Sequence, residues 1–266
     1  MNLDYKLKDP ITLDLSPYGA ENKACTWYDF EHPMHRMPPF DQVFSLYWND
    51  YHYSKWIQPG MTCIDIGAHI GDTALPMMVA SQATVLAIEP NIHMLPFLEK
   101  NCEANGHLGK FVIATEAVTS KASDSLTFGD HQNAMVNGGI LDETWDVNTT
   151  ARVKGMTGNT IIIKGITFDD MCKKYLSQDE IDRIGFVKTD TEGHDIEIIN
   201  SMRDFLIQQK PVLLTEWFFG YSLADSQKLF QAIHAAGYVP HDPKTMEIAD
   251  INNRCDDLLC IHQDNL

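Results

Sequence analysis

Cys63-Ile-Asp-Ile-Gly-Ala-His-Ile-Gly71 is a short apolar run that breaks into a glycine-containing turn, and residues 72–81 after it carry helical spacing. Strand, tight turn and helix in that order open an α/β sheet. Glycine suits such a turn because the backbone doubles back and approaches a ligand closely, while the helix start offers unpaired N–H groups and a positive dipole end. A dinucleotide fingerprint reads Gly-x-Gly-x-x-Gly. Here Gly67-Ala-His-Ile-Gly71 lacks the second glycine, which disfavours a nicotinamide cofactor.

The same alternation continues along the chain. Apolar runs over 84–88, 111–114, 185–189 and 211–215 are interleaved with helical patterns over 92–104, 193–207 and 222–236, which predicts a doubly wound, mostly parallel α/β sheet. Residues 237–240 and 258–261 read as two strands with no helix between them, an antiparallel pair with an antiparallel C-terminal edge strand. Strand-like 126–128 and 160–163 flank a Gly- and Asn-rich stretch, 129–159, too long for an ordinary connection. Residues 1–58, rich in Pro, Asp and aromatics, read as an N-terminal elaboration or cap on a domain over 59–266. A helix over 42–56, stopped by Pro59-Gly60, is expected within it. Its aromatics Tyr47, Trp48, Tyr51, Tyr53 and Trp56 either pack that helix on the sheet or close over a ligand as a lid.

The chain has 266 residues, with 37 Asp and Glu against 20 Lys and Arg and a formal net charge of −17. Counterion release from phosphates needs Lys and Arg, so nucleic acid and anionic membrane surfaces are poor partners for so acidic a chain. The six cysteines are scattered without a Cys-x-x-Cys pair, as expected of reduced, buried thiols. Neither a signal-peptide core near Met1 nor a run of 18 apolar residues is visible, so a cytoplasmic protein without a membrane span is expected. Met77 and Met78 read as packing groups.

Chemistry gathers at the strand ends. Asp65 closes the first strand and suits an amino-bearing or cationic ligand, whereas Glu89-Pro90-Asn91 closes the second, where a carboxylate can accept two ribose hydroxyls. Asp65 near an amino acid, Gly67 and Gly71 near a backbone and Glu89 on a ribose together describe S-adenosylmethionine. The bland alternative makes Asp65 a helix cap and Glu89 a solvated turn residue. Val187-Lys-Thr-Asp-Thr-Glu-Gly-His-Asp195 also leads a strand into a helix, placing Asp190, Glu192 and His194 at the same edge, and Glu216-Trp217 ends the next strand. Carboxylates on adjacent strand tips repel unless a cation, proton or substrate relieves them. Asp190 as an N-cap, His194 as a satisfied helix-start residue, and Trp217 with Phe218 closing the core are the structural alternatives.

In this order, Asp65-Ile-Gly-Ala-His-Ile-Gly-Asp72, Ile88-Glu-Pro-Asn91, Ala117-Val118, Asn137-Gly-Gly139, Ile166-Thr-Phe-Asp-Asp170, Val187 to Asp195 and residues 211–216 resemble FkbM-type S-adenosylmethionine-dependent O-methyltransferases. The resemblance departs at His69, where Asn is usual, and at Phe168, where Leu is usual. It implies a Rossmann-like class I methyltransferase sheet and methyl transfer from S-adenosylmethionine to a hydroxyl oxygen; the acceptor stays open, and a sugar of a glycan is expected on the polarity of 129–159. Cofactor contacts implied are Asp65, Gly67, Ala68, His69, Gly71, Asp72, Thr73, Glu89, Pro90 and Asn91, with Glu116 and Ala117 on the adenine. Asp190 or His194 would be the base, Glu216 and Glu192 would hold the acceptor or orient the imidazole, and Trp217 would stack on a sugar face. Asp190, Glu216 and His194 would also suit a divalent metal, but the resemblance does not oblige one and none is assigned. A polar 129–159 favours carbohydrate over a polyketide or lipid hydroxyl. A nicotinamide oxidoreductase and a non-catalytic cofactor-binding protein are the remaining alternatives.

Overall fold

Strand side chains alternate between two faces, and in this chain both faces are apolar, so the sheet is buried on both sides. The computed structural model describes residues 5–32, 35, 38–131, 137–141 and 145–266. Its central sheet has strands β1 (Thr62–Ile66), β2 (Thr84–Ile88), β3 (Lys110–Ala114), β4 (Ile184–Thr189), β5 (Val212–Glu216), β6 (Tyr238–His241) and β7 (Asp257–His262), in the order β6-β7-β5-β4-β1-β2-β3. Cys63, Val85, Ala87, Phe186 and Leu214 enter a core shared with helices Ala74–Ser81 and Leu95–Ala104 and the N-terminal residues. Ile64, Ile66, Leu86, Ile88, Val187 and Leu213 enter the other, beneath helices Phe168–Tyr175, Asp195–Ser201, Arg203–Gln209 and Leu223–Ala235.

β1 to β5 are parallel, and the expected antiparallel pair lies at one edge. The edge strand itself differs from expectation. β7 is the antiparallel one and sits between β5 and β6, one place in from the edge. Leu258, Leu259 and Cys260 are fully buried, and a strand apolar on both faces is satisfied only in the interior of a sheet.

Other boundaries move for identifiable reasons. The helix expected over 193–207 is two helices, Asp195–Ser201 and Arg203–Gln209, jointed at Met202. That expected over 42–56 is a helix Phe40–Ser45, a wider π-type turn Leu46–Asp50 and a short helix Tyr53–Trp56, because His52 takes a left-handed φ of 58°. The long 117–166 stretch is a second sheet rather than a loop: Gly138–Ile140, Ser123–Asp130, Thr160–Ile166 and Ala117–Val118 pair in that order, and helix Val147–Met156 fills the interval. Asp146 caps that helix through the N–H groups of Asn148 and Thr149. The Asp130 carboxylate accepts the N–H groups of Gly158 and Asn159 and so ties the return strand down. Parts of 129–159, namely residues 132–136 and 142–144, lie outside the described residues.

The N-terminal residues are held by a device the sequence pattern does not announce. Helix Leu95–Ala104 and its C-cap present Asn101 and Asn105, one turn apart, as a substitute strand edge. Asn105 accepts from the Thr26 N–H at 2.8 Å and donates to the Thr26 carbonyl at 2.6 Å. Asn101 does the same for Tyr28 at 2.7 and 2.9 Å and also donates to the Ile70 carbonyl at 2.8 Å. Tyr53, fully buried, meets Phe186 at 5.0 Å, so of the two readings of the aromatics, this residue follows the packing one. Asn101→Ala strands a buried N–H and two carbonyls, with an expected cost of about 1–3 kcal/mol. Urea unfolding checks this, and a loss below about 0.5 kcal/mol would mean the amide ladder is incidental.

Candidate functional site

Strand order reverses direction between β1 and β4, and the carboxyl ends of parallel strands at such a switch point form the natural crevice of an open α/β sheet. A cleft whose enclosed part is about 200 Å³, opening to solvent on one side, occupies that place. Its floor and walls include Gly67, His69, Asp72 and Thr73 after β1, Glu89, Pro90 and Asn91 after β2, Ala117 and Val118, and Lys188, Asp190, Glu192 and His194 from β4 onward. The second sheet supplies Phe128 and residues 137–140 as the opposite wall.

Backbone geometry explains the glycines. Gly67 has φ 85°, and a Cβ there would lie 1.8 Å from the Asp190 carbonyl oxygen. Close approach is therefore to the β4 loop, not primarily to a ligand as the sequence suggested. Gly139 packs likewise, its would-be Cβ 2.7 Å from the Thr191 carbonyl. His69 and Glu192 adopt left-handed φ values of 49° and 57° without being glycine, strain of the kind that collects at functional sites.

On the donor side, Glu89 accepts the His69 N–H at 2.8 Å and the Asn91 N–H at 2.7 Å. Burial still pushes its carboxyl up to about 7, against the pull of those two bonds. Burial likewise raises Asp72 to about 6, with Lys188 opposing. Asp65 is fully buried and does not line the cleft. It accepts the Thr73 hydroxyl at 2.5 Å and lies 3.8 Å from the Lys188 ammonium, and burial raises it to about 6 with both partners opposing. Asp65 thus supports cleft residues instead of meeting a ligand's amino group directly, and Ala68 and Gly71 are likewise behind the lining.

Two further assignments change. Glu116 does not line the cleft; its carboxylate takes Lys174 and the Tyr175 hydroxyl, the latter at 2.7 Å, which leaves Ala117 and Val118 at the wall. Trp217 is buried, its indole N–H donating to Ser226 at 2.9 Å and its ring against Phe230 at 4.9 Å, so it offers no face to a sugar. The exposed aromatic nearby is Phe219, 58% exposed and edge-on to His131 at 6.3 Å.

On the acceptor side, Asp190 meets the Lys188 ammonium at 3.0 Å. His194 lines the cleft with Nε2 3.8 Å from Glu197. Glu192 faces His131 at 3.4 Å and accepts from the Asn137 amide at 3.3 Å; burial, then Asp190 and Asp195, push it up to about 8. Glu216 stands behind, accepting the Glu192 N–H at 3.1 Å, and burial beside Glu192 raises it strongly. Among the described residues no group of three His, Cys, Asp or Glu side chains is disposed to hold a metal ion, so Asp190, His194 and Glu216 do not assemble as such a set. Nor is any helix among them long and apolar enough to cross a membrane. Lys188 belongs to the Val187 to Asp195 motif but carries no role in the sequence-based assignment, although a lysine inside an otherwise apolar buried strand is itself a signal.

The methyltransferase FkbM domain model matches residues 65–240. A comparison with curated proteins gives no match. Among solved structures, the chain is similar to a methyltransferase FkbM from Methylobacillus flagellatus KT, with 13% identity, 84% of this chain and 58% of that one covered, and a TM-score of 0.48. It is also similar to a precorrin-6y C5,15-methyltransferase from Geobacter metallireducens GS-15, with 13% identity, 84% of each chain covered and a TM-score of 0.40. The chain thus spans little more than half the length of the first of these. With the family model matching well over half of its residues, the chain belongs to the FkbM methyltransferase family.

Proposed function

We propose that the chain transfers a methyl group from S-adenosylmethionine to a hydroxyl oxygen on a sugar of a glycan. The observation that carries the cofactor reading is the Glu89 carboxyl at the β2 tip, oriented by two backbone N–H groups and lining the cleft. That is where a ribose is held in folds of this kind. Asp72 and Asp190 add carboxylates on the side that would receive cationic groups, and Ala117, Val118, Phe128 and Ile140 form an apolar wall suited to a base. When bound, S-adenosylmethionine supplies an electrophilic methyl on a sulfonium centre.

The acceptor side is built for an uncharged polyol. Glu192, Asn137 and His131 offer hydrogen-bonding groups, and the excess of carboxylates would repel an anion. Asp190 or His194 takes the hydroxyl proton as the oxygen attacks, and Glu216 keeps the Glu192 main chain in its left-handed turn. A positioned base adds about 10² to 10⁴-fold to such a step.

Incubating the protein with methyl-labelled S-adenosylmethionine and a glycan panel tests this reading; label on a polyketide or lipid hydroxyl alone would replace the acceptor class. Asp190→Asn or His194→Ala should lower turnover by about 10² to 10⁴-fold, and near-normal turnover in both would end the base assignment. Glu89→Gln should weaken cofactor binding about tenfold or more, since hydrogen bonds to a charged group contribute about 1.5–3 kcal/mol; calorimetric titration measures it.

Acidity of the cleft predicts the pH dependence. Asp65 and Asp72 titrate near 6, Glu89 near 7 and Glu192 near 8, all above their unfolded values of roughly 4. Between those limits the folded chain holds protons that the unfolded chain has released, so stability falls as pH rises from about 5 to 8. The melting temperature of the cofactor-free protein should decline across that window, and S-adenosylmethionine should flatten the decline. A flat or rising profile without cofactor would contradict the electrostatic account.

A further inference from the structure

The methyl-transfer reading leaves the placement of Lys188 unexplained. It lies one residue before the end of β4, 1% exposed, and in the β1–β4 ladder its Cα partner is Asp65. Lys188 and Phe186 share a face by strand alternation, and Phe186 meets Tyr53, so the N-terminal helical residues roof the ammonium. Its Nζ is 3.0 Å from Asp190 and 3.8 Å from Asp65. An ammonium under a cleft meant for a cationic cofactor is unfavourable unless it has another task.

We propose that Lys188 is a positioning residue that holds the Asp65 and Asp190 carboxylates in one ion-paired frame, joining the donor and acceptor halves of the cleft. This rests on the proposed function for its cofactor and extends it. Asp65 fixes the Thr73 hydroxyl, so the frame reaches the turn after β1. Asp190 follows β4 and precedes the strained Glu192, so the frame also reaches the acceptor loop. Charged and titratable groups facing the ammonium are Asp65 from β1, Asp72 from the turn after it, Asp190 and Glu192 beyond β4, Tyr53 from the N-terminal residues and Asp257 from β7. Asp257 is itself held by the Tyr51 hydroxyl at 2.5 Å. These carboxylates keep Lys188 protonated, which excludes it as the proton acceptor.

Removing the ammonium makes the Asp65, Asp72, Glu192 and Asp257 carboxyls harder to ionise. In Lys188→Met, the affinity for S-adenosylmethionine at pH 7, measured by calorimetry, should fall about tenfold, and the midpoint of its rise with pH should move up by roughly one unit. Loss of affinity without a moved midpoint would mean a packing defect and overturns the proposal, as does affinity equal to the wild type. A readout independent of cofactor is a double-mutant cycle on urea stability with Lys188→Met and Asp190→Asn. The pair should cost clearly less than the sum of the single changes, and additivity overturns the proposal. Should Lys188→Met not fold, Lys188→Met combined with Asp65→Asn must recover folding, and failure to recover overturns it. If wild-type protein binds no S-adenosylmethionine, the proposed function falls and the cycle alone judges the frame.

Discussion

The contact between the tips of β1 and β4 is the constraint on which the cleft depends. The Asp190 N–H donates to the Ile66 carbonyl at 2.9 Å, and the Asp190 carbonyl lies where any Cβ on residue 67 would have to be. No side chain other than hydrogen fits, and φ 85° at that position independently disfavours one. Because the two tips touch, the turn after β1 and the loop after β4 diverge from one point, and the cleft opens between them and the second sheet. Gly139 closes the far side by the same device against Thr191.

Around that point, the chain concentrates negative charge in a place of low polarity. Burial raises Asp65, Asp72, Glu89, Glu192, Glu216 and Asp257 together. Such a cluster lowers the stability of the empty protein at neutral pH and creates a demand for positive charge. Lys188 meets part of it from within, and a cationic ligand would meet more. The net charge of −17 is in this sense partly local.

Two appended units flank the central sheet without joining it. Strands Gly138–Ile140, Ser123–Asp130, Thr160–Ile166 and Ala117–Val118 form their own sheet and lend the cleft its second wall. The N-terminal residues are bound through Asn101 and Asn105 and cover the face on which Lys188 and Asp65 lie.

By itself, the sequence determined the layers and the edge of the sheet where chemistry gathers, because apolar period and glycine position are local properties that burial obeys directly. Alternation of strands and helices, the turn at Gly67, Glu89 at the β2 tip and the acids after β4 were all legible from neighbours in the chain. Tertiary structure decided which of those side chains reach the cleft. Asp65 turned inward because Lys188 lies beside it across a ladder, Glu116 was captured by Lys174 and Tyr175 some sixty residues later, and Trp217 by Ser226 and a helix face. Those outcomes depend on partners distant in the chain, and periodicity carries no record of which distant groups meet.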